Sequence, residues 1–166
     1  MILYVLRHGI AAEASPGGDD RSRALTPRGR MKMRSGALGM RRFGITLDVL
    51  LTSPLVRAVE TAAIVAEVYA GTPMPAELPA LAPGVAPAET LKALRSHARQ
   101  RHVAIVGHEP GLSALVALLL TGSAEGMALD LKKGGLVAVD IDGVPAPGRA
   151  TLRWVLTPRQ LRRLSR

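Results

Sequence analysis

The sequence predicts an α/β fold: one domain of three layers, with a mainly parallel central sheet flanked by helices. Three observations carry this. Short apolar runs of strand-forming residues recur along the chain, each the length of a buried strand. Segments with apolar residues at helical spacing alternate with them, the pattern of a layered α/β domain. The 166 residues suffice for one core that buries ~70% of the unfolded surface, and no repeat or linker divides them.

Ile2–Leu6 is the first expected strand. Residues Ile10 to Ser22 hold Pro16-Gly17-Gly18-Asp19-Asp20 and read as a loop. Thr26-Pro27 is an N-cap followed by proline at the first helical position, where its missing N–H costs nothing. The helix it opens runs to about Arg42 and stops at Gly44. Leu47–Leu51 is the second strand. Ser53-Pro54 repeats the cap-plus-proline signature before a helix carrying Leu55, Val59, Ala62, Ala63 and Ala66 at helical spacing. Gly71 to Pro87 is rich in Pro, Ala and Gly and reads as loop, and Glu89–Ala98 as a weaker helix. Val103–Val106 is a third buried strand, broken by Gly107-His108-Glu109-Pro110-Gly111, and Leu112–Leu120 is an apolar helix. Leu136–Ile141 alternates as a strand, Asp142-Gly143 is a turn, and Thr151–Leu156 is a last strand paired with it. Thr157-Pro158-Arg159-Gln160 reads as a capping box that opens a short basic helix.

Composition narrows the chemistry. Hydrophobic residues at 48% and charged residues at 21% exclude intrinsic disorder. The absence of cysteine excludes disulfides, thiolate zinc sites, iron–sulfur clusters and a cysteine nucleophile. A net charge of +9 and a pI near 11.2 favour anionic partners. One Trp, two Tyr and one Phe make no platform for stacking unpaired bases, so nucleic acid is not the expected partner. Met1 runs directly into Ile2-Leu3-Tyr4-Val5-Leu6, unlike a signal peptide, and the longest charge-free apolar stretch, Pro110 to Ala124, falls short of the ~20 residues that cross a bilayer. The expectation is a soluble cytoplasmic protein, with no membrane partner. Arg21 to Arg42 holds eight basic residues and no acid, and Arg149 to Arg166 holds six and no acid. Such runs form a solvated face or recruit acidic proteins and polyanions by long-range steering.

The chemistry gathers at strand ends. His8 follows the first strand and His108 follows the third, and ligands of open α/β sheets bind just beyond the carboxyl ends of the strands. Both imidazoles would reach one crevice if the two strands are neighbours. Arg57 lies one turn into the helix after the second strand, with Ser53 as its N-cap, and Arg7 sits beside His8. Guanidinium groups grip phosphate oxygens through paired hydrogen bonds. The helix opening near Pro110-Gly111 is expected to add N–H groups and a positive dipole end. Two imidazoles, two guanidiniums and a helix start suit a tetrahedral dianion. His97 and His102, set among Arg95, Arg99 and Arg101, read as surface residues.

Leu6-Arg7-His8-Gly9, then Ser53-Pro54-Leu55-Val56-Arg57-Ala58-Val59-Glu60-Thr61, then Gly107-His108-Glu109-Pro110 resemble the three signatures of the histidine phosphatase superfamily, whose fold is phosphoglycerate mutase-like. The short chain, the Arg23-Ala24-Leu25-Thr26-Pro27-Arg28-Gly29 segment and the lack of a large lid insertion resemble bacterial phosphohistidine phosphatases of the SixA type. The resemblance implies that His8 is the nucleophile and becomes phosphorylated, that Arg7 and Arg57 clamp the phosphoryl oxygens, and that His108, protonated beside the dianion, helps from the opposite side. It implies no metal and no cofactor, since the arginines neutralise the charge. Where mutase-like members carry a glutamate, in a segment resembling Leu78-Pro79-Ala80-Leu81, this chain has Ala80. That departure argues against a mutase and against substrates with poor leaving groups, which need strong acid help. Asp20 is the expected substitute proton donor; Asp19, Glu13, Glu77 and Glu89 are the other candidates, and Glu109 reads as a helix-start acid. Arg23, in the same loop as Asp20, is a candidate contact to substrate beyond the phosphoryl group.

The resulting expectation is a metal-independent, monomeric phosphatase acting on phosphohistidine in a protein. A small-molecule phosphomonoesterase of the same superfamily is the alternative. A non-catalytic polyanion-binding module is the alternative from another class.

Overall fold

The computed structural model describes residues 1–13, 19–71 and 73–166. Pro16, Gly17 and Gly18 of the expected first loop, and Thr72 of the second, lie outside the described residues.

Six strands form one sheet: β1 (Ile2–Arg7), β2 (Val49–Thr52), β3 (Pro75–Glu77), β4 (His102–Gly107), β5 (Leu136–Ile141) and β6 (Ala150–Leu156), in the order β3-β2-β4-β1-β5-β6. The first four run parallel; β5 is antiparallel to β1 and β6 to β5. Five α-helices cover the sheet: α1 (Pro27–Arg42), α2 (Val56–Val68), α3 (Pro87–Leu94), α4 (Gly111–Thr121) and α5 (Pro158–Leu164). Side chains of β1 alternate between the two faces. Tyr4 and Leu6 pack with α1, α2 and α5, while Leu3 and Val5 pack with α3 and α4. Both faces are covered, which is why β1 and β4 read as unbroken apolar runs. Each buried leucine or valine contributes roughly 1.5–3 kcal/mol of transfer free energy.

Register positions the chemistry. β1 and β4 pair with Leu6 opposite Val106 and Arg7 opposite Gly107, so His8 and His108 are the next residues of two neighbouring strands. β2 pairs with β4 through Thr52 and Val106, so Ser53 leaves the sheet at the same edge.

The helix starts at 27 and 158 form as their residues dictate. The Thr26 hydroxyl accepts from the Gly29 N–H at 2.9 Å, and Thr157 and Gln160 close a reciprocal capping box. The expected cap at Ser53 does not form. α2 begins at Val56 with Leu55 in the N-cap position and no side-chain cap. Ser53 instead extends the sheet ladder, its N–H donating to the Val106 carbonyl at 2.9 Å. The second strand begins at Val49 rather than Leu47. The segment expected as loop from Gly71 to Pro87 contains β3 and a 3-10 turn at Pro79–Leu81. Pro75 opens β3 at the sheet edge, where its missing donor is tolerated. The helix expected over 89–98 starts earlier, with Pro87 in its first turn, and ends at Leu94, followed by a 3-10 turn at Arg95–His97. Among the described residues, no helix is long and apolar enough to cross a membrane.

Candidate active site

His8 is 5% exposed at the end of β1. Its Nδ1 lies 2.7 Å from the Gly9 carbonyl, which can only accept, so Nδ1 carries the proton and Nε2 keeps its lone pair. The Gly9 carbonyl is therefore the group that fixes the His8 tautomer. Burial pushes the His8 pKa down to about 3; the Gly9 hydrogen bond opposes this, and His108, Arg57 and Arg7 add to it. The imidazole is neutral at pH 7, the state a nitrogen nucleophile needs.

The His108 ring lies 5.0 Å from that of His8, tilted by 50°. Its Nε2 is 2.8 Å from the fully buried Ser53 hydroxyl. Its Nδ1 is buried and has no hydrogen-bond partner among the described residues. Burial, then Arg57, pushes the His108 pKa down to about 4 against the opposing pull of Asp20. His108 is thus neutral in these surroundings, and a dianion between the two rings would raise its pKa.

The arginines differ in how they are held. Arg7 Nη1 donates to the Leu131 carbonyl at 2.8 Å, while its buried Nε has no partner among the described residues. Arg57 is buried, and its fork donates to the Asp20 carbonyl oxygen at 2.7 Å and to Asp20 Oδ2 at 2.9 Å. Arg23 donates from Nη1 to Asp20 Oδ1 at 2.7 Å and from Nε to the Ala12 carbonyl at 2.7 Å. Asp20 bridges two guanidiniums, Arg23 first and Arg57 second, and these hold its carboxyl below the usual carboxylate range.

Arg7, His8, Asp20, Arg23, Arg57 and His108 all line one cavity of about 310 Å³, with Pro83, Glu109 and Lys133. The remaining acids fall elsewhere: Asp19 caps the 3-10 turn at Asp20–Ser22, and Glu13, Glu77 and Glu89 do not line the cavity. Ala80 lines an adjacent cavity of about 320 Å³ that also reaches His108. His97 ends a 3-10 turn, and His102 opens β4, at the opposite end of the strand from His108. Two of the first amide donors of α4 are committed internally, the Leu112 N–H to the His108 carbonyl at 3.0 Å and the Ser113 N–H to Glu109. The Glu109 carboxylate accepts from the Ser113 N–H at 3.1 Å and from the Ser113 hydroxyl, which is the helix-start role read for Glu109.

Two supporting residues, Thr61 and Glu60, had no individual role in the sequence reading, and a third, Ser53, was read there only as a helix cap. Thr61 accepts from the buried Gly9 N–H at 3.0 Å and donates to the Arg57 carbonyl at 2.7 Å. Glu60 accepts from the Leu25 N–H at 2.6 Å and pairs with Arg30, tying α2 to the segment that precedes α1. Ser53 orients His108. The i, i+4 spacing of Arg57 and Thr61 was the available signal for Thr61, because a threonine hydroxyl on a helix bonds the carbonyl one turn back.

The family model of the histidine phosphatase superfamily (branch 1) matches residues 3–79, a stretch that contains Arg7, His8 and Arg57 and ends before His108. An uncharacterized protein of Picosynechococcus sp. is 34% identical over 141 residues, covering 84% of each chain. The chain belongs to the histidine phosphatase superfamily. Among solved structures, this superfamily member is similar to the protein histidine phosphatase SixA complexed with tungstate, with a TM-score of 0.85, 24% identity and coverage of 97% of this chain and 99% of that one. It is also similar to a candidate SixA phosphohistidine phosphatase of Agrobacterium tumefaciens, with a TM-score of 0.77, 23% identity and coverage of 95% and 97%. The fold is the SixA fold, and membership of the superfamily supports a phosphatase activity.

Proposed function

We propose that the protein hydrolyses phosphohistidine in a phosphorylated protein, without a metal or cofactor, through a covalent phospho-His8. The observation that carries this reading is the neutral His8 imidazole, with its proton fixed on Nδ1, beside His108 and two guanidiniums in one cavity. In the first step the Nε2 lone pair of His8 attacks phosphorus, the bond from phosphorus to the substrate imidazole breaks, and that imidazole takes up a proton. In the second, water attacks phosphorus, the bond to Nε2 breaks, and inorganic phosphate leaves with His8 neutral again. Arg7, Arg57 and His108 stabilise the charge that develops on the phosphoryl oxygens, typically ~3–4 kcal/mol for each preorganised donor. The buried, unpartnered Arg7 Nε and His108 Nδ1 support an anion bound between them.

Asp20 supports the substrate assignment. As a carboxylate held by Arg23 and Arg57 it is a poor acid. It becomes a proton donor only when phosphoryl oxygens take the Arg57 fork from it. A phosphoramidate leaving group asks less of an acid than an alcohol does, and Ala80 supplies no carboxylate in its place. Arg23, beside Asp20, faces substrate beyond the phosphoryl group. The protein acts in this reading as a cytoplasmic monomer.

Turnover of a phosphohistidine peptide against a panel of alkyl phosphate esters tests it. The expected result is selectivity for the peptide, abolished by His8→Ala and reduced about a hundredfold by Arg57→Ala or His108→Ala. Selectivity for an ester identifies a small-molecule phosphomonoesterase, and salt-sensitive polyanion binding that survives His8→Ala without any turnover identifies a binding module.

A further inference from the structure

A third cavity, of about 680 Å³, lies beside the active site between α1, α5 and the segment before β5. It shares Arg7 and Lys133 with the active-site cavity. Lys32, Lys132, Lys133, Arg159 and Arg162 complete its cationic lining, and no carboxylate lines it. Lys132 pairs with Asp130 at 2.6 Å, but Lys32, Lys133, Arg159 and Arg162 form no ion pair among the described residues. Arg159 and Arg162 also line a fourth cavity of about 300 Å³ together with Arg163 and Arg166. Neighbouring cationic cavities, linked by shared lining residues, therefore form a groove that extends from beside the phosphoryl site across the α1–α5 face.

Helical spacing builds this groove. Lys32 of the groove lies one turn along α1 from Arg28, which stands outside the lining, and Arg159 and Arg162, both in the lining, lie one turn apart on α5. Like charges set this close repel, and nothing in the groove offsets them; Arg28 first, then burial and Arg162, hold the Lys32 ammonium below its ordinary pKa. Unbalanced charge concentrated in a concave surface focuses field on an incoming anion. Ile10, Met33 and Pro158 add apolar surface to the lining. No aromatic side chain lines the groove, so it offers unpaired bases nothing to stack on. A lining that is both cationic and apolar suits a polypeptide with carboxylates and apolar side chains.

We infer that this groove docks an acidic segment of the protein substrate, adjacent in sequence to the phosphohistidine that enters the active site. This rests on the phosphohistidine reading above. The groove and the catalytic cavity share Arg7 and Lys133 in their linings, so a chain lying in the groove has its neighbouring residue beside the cavity that holds His8. Docking lowers KM and leaves the chemical step alone.

The test uses two synthetic phosphohistidine peptides that differ only in the flank, a run of glutamates in one and of serines in the other. The wild-type protein is expected to show a KM about tenfold lower for the glutamate peptide at low salt, and this preference should vanish near 0.5 M NaCl, where screening is short-ranged. Lys32→Glu/Arg162→Glu should abolish the preference while leaving kcat/KM on the serine peptide within about twofold. Lys32→Ala/Arg162→Ala serves in its place if the charge reversal unfolds the protein. No preference in the wild type, or a preference that survives either variant, overturns the inference. Binding of fluorescein-labelled hexaglutamate, read by anisotropy, separates the two readings. If neither peptide is hydrolysed but an ester is, the phosphohistidine assignment fails, while loss of hexaglutamate binding in the variant still supports the acidic-segment groove. Unchanged hexaglutamate binding in the variant, or tighter binding of a single-stranded oligonucleotide of equal charge, overturns the groove assignment itself.

Discussion

One hydroxyl holds the nucleophile loop to the helix that carries Arg57. Thr61 donates to the Arg57 carbonyl and accepts from Gly9 N–H, and the Gly9 carbonyl in turn fixes the proton on His8 Nδ1. Valine has the same shape and no hydroxyl. Thr61→Val leaves a buried Gly9 N–H unpaired, which costs about 1–3 kcal/mol. It also loosens Gly9, whose carbonyl sets the His8 tautomer. Steady-state kinetics should show kcat lowered about tenfold with KM little changed, as for a residue that positions the nucleophile without touching substrate; a variant with wild-type kcat would remove Thr61 from this role. At this scale the sequence was partly legible. Arg7, His8, Arg57 and His108 stand in recognisable local contexts. Ser53 was misread as a helix cap, because Ser-Pro is a local cap signal while its actual partner, His108, lies 55 residues away. The grip of Asp20 on Arg57 spans 37 residues and was equally invisible.

Among the elements, α1 and α5 meet more closely than any side chain allows. A Cβ at Gly39 would lie 1.9 Å from the Leu161 carbonyl oxygen, so α5 must move to accept even alanine. Overpacking of this kind costs roughly 1–3 kcal/mol. Gly39→Ala should lower the thermal midpoint by several degrees, and an unchanged midpoint would mean the two helices separate freely. The helices capped at Thr26 and Thr157 were readable because a cap is settled within four residues of chain. β3 was not readable. Its three residues have no strand-like composition and exist as a strand only because β2 offers a parallel edge.

For the whole molecule, folding traps two neutral imidazoles. Their folded pKa values, about 3 for His8 and about 4 for His108, lie below the ordinary value of 6.5. The unfolded chain therefore takes up protons first as pH falls. Their contribution to stability is complete above about pH 6.5 and is lost progressively as pH falls toward 4 and then 3. Between pH 7.5 and 4.5 the wild-type thermal midpoint should fall more steeply than that of His8→Asn/His108→Asn; parallel curves would mean that the buried histidines do not couple to folding. The layering and the mainly parallel sheet followed from the alternation of apolar runs and helical segments, whereas the strand order did not. The joining of two basic stretches, more than a hundred residues apart in sequence, into one groove did not, because only the packing of α5 on α1 brings them together.

The most direct test of the phosphotransfer site is a crystal structure with vanadate bound. The expected result is vanadium within bonding reach of His8 Nε2, with its oxygens held by Arg7, Arg57 and His108 and with Asp20 released from the Arg57 fork. Vanadate bound away from His8, or bound while Asp20 keeps Arg57, would contradict a mechanism through phospho-His8.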